Sequence, residues 1–489
     1  MRPLHGLDFL LRQGENQRES GVYTQSAASQ PRLLSGFLTQ YWKKRLSCKD
    51  LRIKDGQNKI PSPRQSKDNM LDFTKSYLNS DAHQPDIETG IIRDAGRCVA
   101  CGLCLPICPT YNKTRREADS PRGRIALAQA LASGKLGYNQ KLGEYIERCP
   151  GCRACEAMCP SLVPFERLIH NTRTLIQRRY ERLSPGNRLQ ALFRRLISHH
   201  PTFAFVSRLL RLYQITGLQR LVRVTGLLKL TGLAQLEEHL PSIPETARLK
   251  HYYPTPKQRV GCIALFTGCV NKVLEYHTLS ASISVLTESG YDVELPEQQV
   301  CCGAIHQHAG DLHRANSCNE KNVQAFANSD YDAIVSTASG CTAVLSQNKQ
   351  LTVPVMDINQ FIVQSGVLNK LCLAPLSRRI VIHQPCSLQN VLNQSRSLYQ
   401  LLEKIPECEI LSLADNTRCC GGAGTYPYRQ PELADSLRAD ILAQLESLAP
   451  AILVTANVSC AAHLRTGIQT ADLDIEVMHP VEILEKQLQ

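Results

Sequence analysis

Eight cysteines in two short runs carry the most specific chemistry in this chain. The first run is Cys98, Cys101, Cys104 and Cys108, followed by Pro109; the second is Cys149, Cys152, Cys155 and Cys159, followed by Pro160. Both follow C-x2-C-x2-C-x3-C-P, in which three thiolates of one tight loop grip a [4Fe–4S] cubane and the fourth reaches a second cubane. The spacing predicts one cluster on Cys98, Cys101, Cys104 and Cys159, and another on Cys149, Cys152, Cys155 and Cys108. Zinc sites more often use paired C-x2-C knuckles. Disulfides suit poorly a loop that crowds three or four sulfurs together. A chain built this way moves electrons.

A second set of cysteines belongs to an internal repeat over 258–489. The first copy runs from Arg259–Phe266 to Cys269, then Cys301-Cys302-Gly303, then Ala333–Ser336 to Cys341. The second runs from Arg379–His383 to Cys386, then Cys419-Cys420-Gly421, then Ile452–Thr455 to Cys460. Cys269 and Cys301 are 32 positions apart and Cys386 and Cys419 are 33; Cys302 and Cys341 are 39 apart and Cys420 and Cys460 are 40. Glycine after each cysteine pair lets the backbone turn tightly, so both thiolates can face one site. Four thiolates suit an iron–sulfur cluster or zinc. Cys269, Cys301, Cys302 and Cys341, with Cys386, Cys419, Cys420 and Cys460, are therefore candidate ligands of an additional cluster or of zinc. His306, His308, His383 and His463 lie near them in sequence. His383-x-x-Cys386 and Cys460-x-x-His463 are metal-compatible spacings, and His463 is carried as a further metal candidate. A lone histidine is more often structural. Cys48, Cys262, Cys318, Cys372 and Cys408 fall outside both patterns and read as ordinary thiols.

No G-x-G-x-x-G follows a strand and there is no P-loop. Gly421-Gly422-Ala423-Gly424 belongs to the cysteine-pair turn. No catalytic residue is assigned, and hydride removal from a substrate falls to another chain.

These sites need scaffolds. With 489 residues and 43% hydrophobic content, the chain has room for two to four domains with sizeable cores. Each lone cysteine of the repeat follows a short apolar run such as Ile263–Phe266 or Ile380–Ile382, which reads as a buried parallel strand. Helical patterns at Leu279–Ser289 and Leu433–Leu448 alternate with them. Ligands of open parallel sheets gather beyond the carboxyl ends of strands, which is where the cysteines stand. The expected fold class is α+β and α/β multidomain: a helical 2[4Fe–4S] domain of bacterial-ferredoxin type, then a tandem repeat of α/β cysteine-rich domains. The boundaries are 1–89 for a disordered extension, with Met70 as a candidate start; 90–170 for the ferredoxin-type domain; 171–257 for a basic helical connector; and 258–370 and 371–489 for the two repeats. Between the ferredoxin-type runs, Asp119-Ser120-Pro121 predicts a helix start. It sets Arg122 and Arg124 near the clusters, where they either solvate a helix end or compensate cluster charge.

The net charge of +12 is uneven. Residues 171–230 hold 12 Lys/Arg against Glu181 alone, or +11, with apolar residues at helical spacing: Leu192, Phe193 and Leu196; Leu209, Leu210 and Leu212; Leu218, Leu221 and Val222. Such basic amphipathic helices either pack on the neighbouring domain or form a docking face for a membrane surface or a partner, with Arg194, Arg195 and Arg211 as contacts. No nucleic-acid motif accompanies them, so a nucleic-acid partner is not expected. No apolar stretch is long enough to span a membrane. Cysteines used as cluster ligands point to the reducing cytosol.

The order of two ferredoxin-type runs, a basic helical segment and two Cys-Cys-Gly domains resembles a family that includes glycolate oxidase (glycolate dehydrogenase) iron–sulfur subunits, the matching iron–sulfur component of anaerobic glycerol-3-phosphate dehydrogenase, lactate-utilisation proteins and heterodisulfide reductases. The resemblance covers residues 90–489. Asp119-Ser120-Pro121-Arg122-Gly123-Arg124-Ile125, Thr337–Cys341, Cys419–Tyr426 and Val454–Leu464 favour the glycolate oxidase branch. It implies an electron-transfer subunit without a flavin of its own. An FAD-binding partner would oxidise glycolate to glyoxylate, and the clusters would pass electrons to a quinone or other membrane acceptor at the cytoplasmic face of the inner membrane. Lactate or glycerol-3-phosphate oxidation is the alternative within the family; a zinc-binding scaffold or sensor is the alternative outside it. One departure stands out: relatives usually end each repeat with C-x2-C, but Cys341 is followed by Thr342-Ala343-Val344 and Cys460 by Ala461-Ala462-His463. Each repeat thus lacks a fifth thiolate, which argues against disulfide reduction.

Overall fold

A computed structural model describes residues 87–180, 185–225, 237, 240, 242–327, 330–414 and 419–489. The expected extension falls outside the described residues except for its last three, which open the helix Ile87–Ala95.

The ferredoxin-type region is helical. Ser120 caps the helix Pro121–Ala132 by accepting from the Gly123 amide at 3.0 Å, with Pro121 at its first position, as the sequence predicts. Gly123 is obligatory there, because a Cβ would lie 1.9 Å from the Glu117 carbonyl oxygen. Asn139 caps Gln140–Glu147 through the Leu142 amide. These helices enclose Ile91, Ile125, Leu131, Leu142, Ile146, Leu168 and Ile169. Each such side chain, once fully buried, contributes about 1.5–3 kcal/mol. The helix Phe165–Arg179 runs unbroken through the expected boundary at 170, and residues 165 and 168–176 are buried. That helix belongs to the cluster-bearing module, so its hydrophobic face, not the change in charge, sets the end of the module.

The repeat builds two sheets. The first has the order β1-β3-β2-β4-β5, where β1 is Tyr252–Tyr253, β2 Gly261–Phe266, β3 Tyr291–Glu294, β4 Ala333–Ser336 and β5 Val355–Asp357. The second has the order β7-β6-β8-β9, where β6 is Arg379–Ile382, β7 Glu409–Ser412, β8 Ile452–Val454 and β9 Glu476–Met478. All pairings are parallel except β1 with β3. β1 is an added edge that the period-two pattern is too short to reveal. Alternation along the strands divides their faces. Ile263, Leu265, Ile380 and Ile382 enter one core shared by both repeats, while Ala264 and Phe266, and Val381, face separate outer cores. The two repeats are thus fused through the helices Tyr276–Glu288 and Pro480–Gln487, which pack together between them.

The basic connector is packed in one part and exposed in another. The helix Pro185–Ser198 docks on the repeats: Phe193 meets Tyr428 edge-on at 6.1 Å, and Arg194 is buried near Arg429, Asp311 and Glu147. Arg194 is therefore not a surface contact, and Arg211 is already paired with Glu245 at 3.0 Å. By contrast Phe205, Leu209, Leu212 and Ile215 form an exposed stripe on the helix His200–Ile215, beside the exposed Arg208.

Candidate metal centres

Both ferredoxin-type loops use left-handed backbone to curl their cysteines inward: Ala100 and Gly102 have φ of 52° and 81°, and Gly151 and Arg153 have 73° and 59°. Cys98, Cys101, Cys104 and Cys159 line one hollow of about 30 Å³ together with Phe165, Val163 and Cys155, the last expected on the other cluster. Cys101 is exposed there, and Arg122 reaches across the loop to the Ala100 carbonyl at 3.4 Å while held by Glu117 at 2.6 Å. The second loop is deeper. Burial, and then the neighbouring Cys386 thiol, push the Cys152 thiol well up, with Cys149 and Cys108 also close by. Cys108 is buried, 3.4 Å from the Thr110 hydroxyl. Each loop thus has a cysteine of the opposite run beside it.

The arginines divide. Arg122 stays at the first loop. Arg124 is 1% exposed, and it donates to the Tyr145 carbonyl at 2.7 Å and the Thr110 hydroxyl at 3.0 Å and pairs with Asp119 at 3.5 Å. Its charge is neutralised within the protein, so its role is to hold the floor under Cys108.

The second loop opens on a cavity of about 190 Å³ lined by Cys149, Cys152 and all eight cysteines of the repeat. These eight follow β2, β4, β6 and β8 or sit in the two Cys-Cys-Gly turns. In each sheet the strand order reverses between the two central strands that deliver the lone cysteines, the place where open parallel sheets gather ligands. Cys269 and Cys301 sulfurs lie 3.5 Å apart, and Cys302 and Cys341 sulfurs 3.3 Å. In the second copy Cys386 adjoins Cys419, and Cys420 adjoins Cys460. The amides of Gly303 and Gly421 donate to Cys301 and Cys419 sulfurs at 3.4 Å. At Gly421, with φ of 83°, a Cβ would meet the Ala434 carbonyl oxygen at 2.8 Å. The donor set is soft and thiolate-rich, which fits iron–sulfur clusters and zinc and disfavours hard cations.

The histidines separate by orientation. His463 turns away from the thiols, with Nε2 3.3 Å from the Ala434 carbonyl and Nδ1 3.5 Å from the Arg438 guanidinium. It holds two helices together. His308 packs its ring on Gly151 and shows its carbonyl to Arg173 at 2.9 Å. His383 faces the thiols of Cys420 and Cys460, the donor atoms all lying within 4.8 Å of one another. Burial pulls its pKa down to about 4, so the ring is neutral.

Some supporting residues carry no sequence signal. Arg173 donates to the Cys149 carbonyl at 2.6 Å, Asn390 to the Cys152 carbonyl at 2.9 Å, and Asn457 to the Cys460 sulfur at 3.5 Å. Arg173 and Asn390 find their partners only through the tertiary fold; Asn457 sits three residues from its own, at the start of the same helix.

Comparison with known proteins agrees with this anatomy. A 4Fe–4S dicluster domain matches residues 94–163, cysteine-rich domains match 263–346 and 380–465, and the linker region of the glycolate oxidase iron–sulfur subunit matches 188–240. The chain is 30% identical over 412 residues to the "Probable glycolate oxidase iron-sulfur subunit" of Bacillus subtilis, covering 79% of this chain and 92% of that one. The chain belongs to the family of glycolate oxidase iron–sulfur subunits. The glycolate oxidase iron–sulfur subunit of Escherichia coli is 28% identical over 409 residues, covering 80% of this chain and 94% of that one. Lactate utilization protein A of Bacillus velezensis is 23% identical over 239 residues, 46% of this chain and 99% of that one. Members of this family are subunits of an oxidoreductase. Among the described residues no helix is long and apolar enough to cross a membrane.

Proposed function

We propose that this chain is the electron-relay subunit of a flavin-dependent glycolate dehydrogenase. An FAD-bearing partner removes two electrons from glycolate. The exposed centre on Cys98, Cys101, Cys104 and Cys159 receives them, the buried centre on Cys149, Cys152, Cys155 and Cys108 carries them inward, and the cysteine-lined cavity lies beyond. The observation that carries this reading is that Cys149 and Cys152 of the second loop line one cavity with Cys386 and the other cysteines of the repeats, Cys386 lying near enough to Cys152 to raise its pKa. When bound, the clusters supply one-electron chemistry. The chain's own residues fix their order, exclude water from the inner site and supply amide donors to sulfur, which tune potentials. The terminal acceptor in this reading is a quinone. The stripe Phe205–Leu209–Leu212–Ile215, with exposed Arg195 and Arg208, supports peripheral seating on the anionic cytoplasmic face of the inner membrane.

The test is anaerobic purification of the native complex, with iron, sulfide and zinc analysis and glycolate-dependent dye reduction. About eight irons or more per chain, a flavoprotein and glycolate activity support the proposal. Zinc with little iron would overturn the relay. The same metal content with activity on lactate alone would keep the relay and move the substrate, a second reading favoured by the lactate-utilisation relative.

A further inference from the structure

The two repeats match in their thiols but not in the residue behind them. Three positions before the first cysteine of each copy stands Phe266 in one and His383 in the other. Phe266 packs in an apolar cluster with Cys302 and Cys341, and its ring lies at the Gly268 turn. His383 takes the equivalent place against Cys420 and Cys460. Its Nδ1 is tied to the Thr455 hydroxyl at 2.9 Å, which fixes the ring, and it is 2% exposed. Its Nε2 is buried and has no hydrogen-bond partner. Leaving such a nitrogen empty costs about 1–3 kcal/mol. A ligand histidine is commonly fixed in this way, with its outer nitrogen hydrogen-bonded and its inner one aimed at the metal. In the first repeat Ser336 stands where Thr455 stands, and it bonds within its own loop to the Ala338 amide instead.

We propose that His383 Nε2 is a nitrogen ligand of an iron–sulfur centre in the second repeat, and that the first repeat binds its metal through thiolates alone. The donor set of the second site is His383, Cys386, Cys419, Cys420 and Cys460. Five donors exceed the four that a structural zinc accepts, whereas a polynuclear cluster can take them. The histidine adds a fifth donor from the strand side of the site, not from position 463, where the wider pattern has its last thiolate and where His463 turns away. An imidazole holds a cluster at a higher potential than a thiolate in the same place would. The second site is also the one against Cys152. The inference concerns ligation and does not depend on which substrate the partner oxidises.

The experiment uses the full chain purified anaerobically with its partner after growth on 15N-labelled histidine. Pulsed EPR is recorded across a range of poised potentials, with iron, sulfide and zinc counted. The expected wild-type result is one strongly coupled imidazole nitrogen on one centre. His383→Phe, which copies the first repeat, should lose that coupling and keep metal on its four thiolates, while the two ferredoxin-type cluster signals persist and show that the fold survives. His383→Cys should keep the iron, lose the nitrogen coupling and shift the midpoint to a more negative potential. His463→Gln should change none of these. No nitrogen coupling at any potential in the wild-type protein would overturn the proposal, as would a coupling that survives in His383→Phe or stoichiometric zinc in the second site. Loss of glycolate activity with the nitrogen coupling intact would count against the proposed function and leave this ligation standing.

Discussion

The Tyr426 hydroxyl donates to the Arg148 carbonyl at 2.9 Å, joining the second Cys-Cys-Gly turn to the residue just before Cys149. The two are 278 positions apart, yet this bond sets how the inner cubane loop faces the repeat. Tyr426→Phe keeps the packing and orphans a carbonyl, at a cost of about 1 kcal/mol. The expected result is an inner cluster that chelator strips about fivefold faster, with the outer cluster unchanged. Equal stripping rates would show that the loop is held by other contacts.

The outer centre allows a sharper test because Cys101 is exposed. Cys101→Ser should remove about four irons per chain and halt electron transfer to the acceptor while the partner's flavin still reduces with glycolate. Normal glycolate-to-quinone turnover in this variant would refute the relay.

Arg124 and Asp119 form a buried pair beneath Cys108, with Arg148 on the other carboxylate oxygen at 3.4 Å. Arg124→Met fills similar volume but leaves Asp119 half-compensated and takes one donor from the Thr110 hydroxyl, which keeps its bond to the Asp119 carbonyl. Breaking a buried pair from one side costs about 3–5 kcal/mol, reduced here by Arg148. Denaturant unfolding should show a loss of that order, and the inner cluster should be lost first. A variant as stable as wild type with both clusters would mean that the pair is only a packing feature.

What the sequence makes legible follows from the range of the interactions. The candidate cluster ligands are spaced within one loop, and the repeat shows as matching offsets, so both stand out without a fold. The helix start at Ser120 is local and is readable for the same reason. The end of the cluster module is not: the helix Phe165–Arg179 is rich in arginine, and only tertiary packing shows that Arg173 is buried on Cys149. The choice between His383 and His463 is equally closed, because both spacings suit a metal and only the fold turns one ring toward sulfur and the other toward the Ala434 carbonyl. Arg194 likewise belongs to a charged face by sequence and to an interior by packing.

The seam between the repeats gives a pH prediction. The Thr278 hydroxyl, on the helix Tyr276–Glu288, is shared by Glu275, just before that helix, and by Glu482 on the facing helix Pro480–Gln487. Burial, and then the Glu275 charge, raise the Glu482 pKa from 4.5 to about 7. Between those values the folded protein holds a proton that the unfolded chain has released. The stabilising contribution is therefore complete below the unfolded pKa and is lost as pH rises through about 7. A shift of this size is worth about 3 kcal/mol at most. Glu482→Gln keeps the hydrogen bond to Thr278 and cannot ionise, so it should match wild type near pH ~5 and exceed it at pH ~8 by about 1–3 kcal/mol. Denaturant unfolding of both proteins at the two pH values measures this. Parallel pH dependences would mean that Glu482 is already ionised in the folded seam, with Arg465 as its counter-charge.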